Sequence, residues 1–405
     1  MFNTTQKHTI LFSCFILVIG LMGMDMLNPA LPYIMQSLSV SEYQTKQLIV
    51  IYLVSAAISQ FFYGAYSDVY GRKKAILLAF LIVDTGALLS AFAQNIEQLY
   101  ACRLLTGLGA GGAPVIARAI ISDVCDRQDT IKKAFAYFSI SSQLSPALAP
   151  LIGAVILQGF AWRAVFVGLS IFTLIAIFVL ARKLKETHTP TAARMDIRQQ
   201  LSSYLLILKI TRFIWFSVIS ALLFTITIAF YSYMPFILAH HHYSPLDNAL
   251  LYILYAASLV LGSLMLAKHL YRLNSEKLLH GCIVFALIAA VTLSAVNYLY
   301  GVNIITIWLT TVIFSVTCGI SAPLALSLCM QEIKENRGVA SAVQGGIKML
   351  FTGLALIILN NVAMKSMLSL TTCYVVVSLL LLSCFAFARS RVASPKSDIP
   401  RLPTG

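Results

Sequence analysis

Apolar stretches long enough to cross a membrane recur along the whole chain, and they restrict the folds open to it. A helix needs about 20 apolar residues to cross a hydrocarbon core about 30 Å thick. Twelve such stretches occur, at positions 9–35, 47–67, 75–93, 98–122, 133–157, 162–181, 213–239, 246–267, 277–298, 303–330, 340–362 and 367–388. Because 59% of the residues are hydrophobic and only 11% are charged, an ordinary soluble domain is excluded. We predict an all-α membrane protein with twelve transmembrane helices.

The longest polar interval divides these stretches into six and six. It covers residues 182–212 and is rich in Lys and Arg. We expect an N-terminal six-helix bundle at 1–181, a cytoplasmic linker at 182–212, a C-terminal six-helix bundle at 213–390 and a cytoplasmic tail at 391–405. Repeated six-helix halves, with a substrate site near the membrane midplane between them, are a recurrent transporter architecture.

Basic residues lie almost entirely in alternate loops, which predicts the orientation. Lys and Arg mark cytoplasmic loops, so both termini are expected in the cytoplasm. The opposite face carries only Lys46, Arg163 and Lys365. The net charge of +14 therefore indicates orientation rather than nucleic-acid binding. The first stretch lacks a small-residue cleavage site, and we expect it to be a retained span.

Asp25 is the only charged residue in the first apolar stretch. An isolated carboxylate in hydrocarbon costs at least several kcal/mol, so it faces the protein interior, pairs with a cation or takes up a proton. Asn28, Pro29 and Pro32 follow and weaken the helix near this charge. Arg103 in the fourth stretch lies at a similar depth, on the order of 10–15 Å below the outer surface. An ion pair with Asp25 is therefore permitted, either as a permanent structural pair or as part of a proton-coupling mechanism.

The loop between the second and third stretches fits the pattern GxxxDxxGRKK, from Gly64 to Lys74. Gly64 permits close helix approach, Asp68 can pair with a cation or cap the next helix, and Gly71 makes the turn before Arg72. This pattern resembles the signature loop of the major facilitator superfamily, and the twelve-span plan is similar along nearly the whole chain. The resemblance implies a conformational latch for the inward-closed state rather than a substrate site.

The fourth stretch resembles the family motif LxxxRxxxG, with Arg103 at the basic position. The resemblance implies that this buried arginine assists proton transfer. Thr106 stands where glutamine is common in the family. The glycines at 107, 109, 111 and 112 thin the helix and are expected to let a neighbouring helix pack closely.

The fifth stretch resembles the antiporter motif GPxxGG. Pro146, Pro150 and Gly153 match the pattern, whereas Ala149 and Ala154 replace glycines. Two prolines four residues apart predict a kinked, closely packed helix. In the superfamily this motif marks exporters.

Residues 25–32, together with Arg118 and Asp123 at the end of the fourth stretch, resemble the Bcr/CflA branch of drug:proton antiporters. Members of that branch are bacterial inner-membrane exporters of antibiotics and other small amphipathic compounds. The resemblance assigns a protonation role to Asp25.

Further polar residues inside the stretches are candidates for the same function. Asp84 is either a second proton or substrate group or an ion-pair partner of Arg118 or Lys348. The candidates for the substrate cavity are Asn28, Gln60, Gln143, Tyr231 and Lys348. The sequence His240–His242 predicts an interfacial loop rather than a metal site, since adjacent histidines do not share a helix face.

The sequence therefore predicts a proton-coupled exporter that works by alternating access. We expect a small-molecule substrate, protons and the lipid bilayer as partners, a monomeric state, and neither nucleic acid nor a cofactor. The eight cysteines show no CxxC pair or metal-ligand spacing. No catalytic constellation indicates an enzyme, and the tail is too short for the output domain of a membrane sensor. The alternatives are an exporter dedicated to one metabolite, such as a siderophore, and an uptake symporter.

Overall fold

The computed structural model describes residues 4–125, 128–188, 204–241, 243–270, 273–301, 303–331, 333, 337–361 and 366–390, and most of these residues lie in helices. Within these ranges, twelve helical segments are long and apolar enough to cross a membrane, which confirms the predicted fold class. The helices are α1 (Thr4–Asp25), α2 (Leu31–Ser37), α3 (Glu42–Tyr70), α4 (Arg72–Phe92), α5 (Ile96–Ala110), α6 (Gly112–Val124), α7 (Gln128–Gly159), α8 (Arg163–Lys183), α9 (Thr211–His240), α10 (Pro245–Met265), α11 (Ser275–Tyr300), α12 (Ile304–Gln331), α13 (Arg337–Asn360) and α14 (Met367–Ser390).

The first span is interrupted where the sequence predicts a weak helix. Here α1 ends at Asp25, a short 3-10 turn occupies Asn28–Ala30, and α2 starts at Leu31. Pro29 lies in the turn and cannot donate a backbone hydrogen bond. The carbonyls in the last turn of α1 must therefore find other partners.

Polar residues at its N-terminal end explain why α3 is longer than the apolar stretch that predicts it. In α3 the helix begins at Glu42, five residues before the stretch predicted at 47–67. Ser41 accepts a hydrogen bond from the Gln44 amide at 3.2 Å, and its own amide donates to the Gln44 side chain at 2.9 Å. This capping box and the ion pair between Glu42 and Lys46 extend the helix into polar sequence.

The chain forms two compact units. The first holds α1–α8 together with His241–Ile253, and the second holds α9 and the chain from Leu254 onward. Residues 189–203 of the predicted linker, the predicted tail 391–405 and His242 lie outside the described residues.

The same helix pairs are in contact in both units. In the first unit, α1 packs against the fourth, fifth and sixth spans, and α4 packs against the fourth and sixth. In the second unit, α9 packs against α12, α13 and α14, while α11 packs against α12 and α14. Counted within each half, these are the same positions, as expected for two six-helix repeats.

Glycines in the fourth span let its neighbours approach closely. A Cβ at Gly107 would lie 2.5 Å from the Tyr52 carbonyl oxygen of α3. A Cβ at Gly111 would lie 2.3 Å from the Ala56 carbonyl oxygen. Backbone atoms therefore occupy the space that a side chain would need, as the glycine pattern predicts.

We expect Gly107→Ala to lower the thermal midpoint of the purified protein. The added methyl group overpacks the contact with α3, at a typical cost of about 1–3 kcal/mol. Intrinsic tryptophan fluorescence during heating in detergent measures the midpoint. The matched control is Gly281→Ala in α11, where a Cβ meets nothing within 4 Å. There, higher helix propensity should leave the midpoint unchanged or slightly raised. Equal midpoints for both variants would contradict the tight contact.

Candidate functional site

The break in the first span places the Asp25 carboxylate against α7. Asp25 is 2% exposed and accepts a hydrogen bond from the Ser145 hydroxyl at 2.8 Å. Further along α7, a Cβ at Gly153 would lie 2.3 Å from the Met26 carbonyl oxygen. The α7 segment with Pro146 and Pro150 inside it is thus bounded by two contacts with the break.

Arg103 reaches the same break from the fourth span. It is fully buried, and its Nη1 donates to the Gly23 carbonyl at 2.9 Å. Its Nε donates to the Leu48 carbonyl at 3.4 Å, and the guanidinium carbon lies 4.6 Å from the centroid of the Tyr52 ring. The ring face attracts the cation, and the carbonyls take two of its donors. Arg103 thereby joins α1 to α3.

The ion pair between Asp25 and Arg103 that their similar depth permits is not formed in the part of the chain that the structure describes. The depth estimate is consistent with the structure, because Arg103 contacts α1 at Gly23, two residues before Asp25. The carboxylate instead meets Ser145, and the guanidinium binds a carbonyl in the last turn of α1. Nη2 of Arg103 has no hydrogen-bond partner among the described residues.

Asn28 follows Asp25 by three residues in the chain. It is buried, and its side-chain amide has no hydrogen-bond partner among the described residues. Its side chain is 1% exposed, and neither Nδ2 nor Oδ1 forms a hydrogen bond with a described residue. Most buried polar groups are hydrogen-bonded, so an orphaned amide needs an explanation. A donor and an acceptor next to the helix break are suited to a polar ligand.

Asp84 has a hydroxyl partner rather than a cation. It is 9% exposed and accepts a hydrogen bond from Ser170 of α8 at 2.6 Å. Among the described residues, Asp84 forms no ion pair with Arg118 or Lys348, the two cations that the sequence offered as alternative partners. Arg118 instead donates to the Pro114 carbonyl of its own helix at 2.8 Å, and the Lys348 ammonium lies 4.6 Å from the centroid of the Phe224 ring.

The remaining cavity candidates lie in both units. Gln60 is buried in α3, whereas the side chain of Gln143 lies outside the described part of the chain. Tyr231 is buried in the second unit, with its ring centroid 5.7 Å from that of Phe230 and 5.2 Å from that of Tyr255.

A second polar cluster lies at the turn between α3 and α4. Gly71 has φ +92°, a conformation that favours glycine, and it follows directly on α3. Arg72 pairs with Asp68, donates to Ser67 at 2.7 Å and donates to Asp123 at 2.9 Å. These contacts tie the ends of α3, α4 and α6 together. Gly64 lies in the same helix, where its carbonyl accepts a hydrogen bond from the Ser67 hydroxyl at 2.9 Å.

Glu186, which sequence reasoning missed, completes this cluster. Its carboxylate accepts from the backbone amides of Arg72 at 2.8 Å and Lys73 at 3.1 Å, at the N-terminus of α4. A carboxylate is favourable at that helix end. The Thr187 hydroxyl donates to Asp123 at 3.2 Å. The only sequence signal for this role of Glu186 was an acidic residue followed by threonine shortly after the sixth apolar stretch.

Comparison with known proteins identifies the family. The model of the Major Facilitator Superfamily matches residues 13–356. The uncharacterized MFS-type transporter YdgK of Bacillus subtilis is 26% identical over 341 residues, 82% of this chain and 83% of that protein. Multidrug resistance protein MdtL of Salmonella schwarzengrund is 30% identical over 192 residues, covering 47% of this chain and 48% of MdtL. The bicyclomycin resistance protein homolog of Haemophilus influenzae is 29% identical over 189 residues, 45% of this chain and 46% of the homolog. The chain therefore aligns with only about half the length of these two resistance proteins.

Solved structures show the same fold at low sequence identity. A D-xylose–proton symporter superposes with a TM-score of 0.75 at 15% identity, covering 94% of this chain and 96% of the symporter. The human organic anion transporter MFSD10 gives a TM-score of 0.67 at 15% identity, with 95% of this chain and 100% of MFSD10 covered. Because the family model matches most of the chain and twelve helical segments can cross a membrane, the chain is a multi-pass membrane transporter for small molecules, not an enzyme, and it belongs to the Major Facilitator Superfamily.

Proposed function

We propose that this transporter is a proton-coupled exporter of small amphipathic compounds. It would act as a monomer in the bacterial inner membrane, with both termini in the cytoplasm. Two observations support export. Relatives that align with about half of the chain are named for resistance to bicyclomycin or to multiple drugs. The segment of α7 that resembles the antiporter motif contacts the break in the first span at both of its ends.

The buried Asp25 carboxylate is the observation that carries the proposal. It has one hydroxyl donor, Ser145, and no cationic partner among the described residues. A charge in such surroundings costs several kcal/mol, so proton uptake is the simplest way to relieve it. A buried acid inside a transporter span is most often part of an ion pathway.

Alternating access would couple this proton to the substrate. When Asp25 takes a proton from outside, its contact with Ser145 changes, and α7 can move relative to the break in the first span. After the proton is released to the cytoplasm, a positive charge nearby would stabilise the ionised Asp25 carboxylate. The Arg103 guanidinium would supply that charge through a small rearrangement, because its Nη1 already contacts Gly23 and its Nη2 has no hydrogen-bond partner among the described residues. Substrate binding from the cytoplasm competes with protonation, and the return step carries the substrate out.

The membrane potential makes this exchange productive. One charge moving through 100 mV provides about 2.3 kcal/mol, enough for roughly a fortyfold gradient of a neutral substrate. The polar cluster around Arg72, at the turn between α3 and α4, would act as a latch that holds the cytoplasmic helix ends together during part of the transport cycle. Its ion pairs with Asp68 and Asp123 can break and re-form as the helix ends separate.

Replacing Asp25 with Asn should abolish proton-driven transport and leave the protein in the membrane. The amide keeps the size of the side chain and a hydrogen-bond acceptor for Ser145, but it cannot carry a proton. Inverted vesicles with a respiration-generated pH gradient provide the assay: added amphipathic compounds should dissipate the gradient with the wild type and not with the variant. Asp247→Asn removes an exposed acid and is the matched control. Wild-type coupling in the Asp25 variant would refute the proposal.

Replacing Asn28 with Leu should weaken substrate binding without destabilising the protein. Because the amide has no described partner, a leucine of similar size loses no internal hydrogen bond. We expect an unchanged or higher thermal midpoint. The apparent KM should rise up to about tenfold, which corresponds to the loss of one hydrogen bond to the substrate.

Asn297 provides the matched control for this experiment. It is another buried amide, 4% exposed, whose Nδ2 and Oδ1 have no hydrogen-bond partner in the described ranges. Asn297→Leu should have the same effect on the midpoint and leave KM unchanged. A lower midpoint for Asn28→Leu alone would show that Asn28 has a structural role.

A further inference from the structure

A groove runs along the second unit beside the start of α11. Its volume is about 610 Å³. The walls come from the end of α10, from α11, from α12 and from the chain between α10 and α11. They are formed by Met265, Leu273, Asn274, Lys277, Leu278, Gly281, Cys282, Phe285, Val316, Thr317 and Ile320. All but three of these residues, Asn274, Lys277 and Thr317, are apolar or glycine.

The groove is polar at one end and apolar along the rest of its course. Lys277, in the first turn of α11, is exposed. Gly281 and Phe285 follow at intervals of four residues, so all three lie on one face of the helix. A Cβ at Gly281 would meet nothing within 4 Å, and Phe285 is 53% exposed. One basic side chain therefore lies at the helix end, and an open apolar channel continues towards the middle of the span.

Positive charge dominates this end of the second unit. Lys268, in the π-helical turn after α10, and Arg389, in the last turn of α14, are also exposed. A neighbouring groove of about 440 Å³ is lined in part by His280, Phe385 and Arg389. Glu276 is the one carboxylate among the described residues of this unit, and it is paired with Arg212.

We propose that the groove beside α11 binds an anionic phospholipid. The phosphate lies at Lys277, and an acyl chain runs along Gly281 and Phe285 towards Ile320. Basic sites at the ends of transmembrane helices attract anionic headgroups, at about 1 kcal/mol for each Lys or Arg. A soluble anion would leave the apolar walls unused, and a zwitterionic phospholipid would bring a positive charge of its own close to Lys277. The groove thus matches both parts of one amphiphile.

Lipid titration of the delipidated, full-length protein in detergent tests this site. Dioleoyl-phosphatidylglycerol is compared with dioleoyl-phosphatidylcholine, which has the same chains and a neutral headgroup. Native mass spectrometry measures bound lipid, and the thermal midpoint measures its effect on stability. We expect the wild type to bind the anionic lipid about fivefold more tightly.

Two variants separate the parts of the site. Lys277→Gln should remove the preference for the anionic lipid. Gly281→Leu should weaken binding of both lipids, because its side chain fills the open channel. Lys183→Gln removes an exposed cation at the end of α8 in the first unit and should behave as the wild type. The midpoint of each variant without lipid verifies that it is folded.

Three outcomes would overturn the proposal. The first is equal binding of the two lipids by the wild type. The second is the same loss of preference in the Lys183 variant as in the Lys277 variant, which would indicate diffuse electrostatic attraction. The third is equally tight binding of glycerol 1-phosphate, which would show an anion site that makes no use of the apolar walls.

Discussion

A broken helix inside a membrane must find partners for its backbone, and this requirement organises the first unit. No water in the hydrocarbon region can hydrogen-bond the carbonyls freed at the end of α1. Arg103 supplies the donor for the Gly23 carbonyl, and Tyr52, which lies under the guanidinium, donates its hydroxyl to the Gly20 carbonyl about one turn earlier in α1 at 3.1 Å. A buried cation thus stabilises the interrupted helix through its carbonyls. The Asp25 carboxylate is left to contact a hydroxyl in α7.

Much of the fold could be predicted because its causes are local in the sequence. Span length, the prolines after Asp25 and the glycine at position 71 each act on the chain within a few residues. The close approach of the fourth span to α3 was also predictable, since Gly107 and Gly111 have no side chains to separate the helices. The same reasoning placed Arg103 and Asp25 at one depth.

The partners of the site residues could not be predicted in the same way. Depth along a helix follows from residue number, but the direction in which a side chain points depends on how the helices are rotated. Ser145 is 120 residues from Asp25, and Ser170 is 86 residues from Asp84. A single serine in a span is common and carries no pattern. The acceptor role of Glu186 was equally invisible, because the amides it binds belong to a turn 114 residues earlier.

The contacts of Glu186 and Thr187 have a consequence for how the polypeptide can be divided. Every described partner of Arg72 lies before residue 189, so the cluster at the turn between α3 and α4 is complete within the first half. If the gene were split after His188, the N-terminal fragment would contain all residues of the cluster at the turn between α3 and α4. Co-expressed fragments are therefore a natural format for labelling one half of the transporter independently of the other.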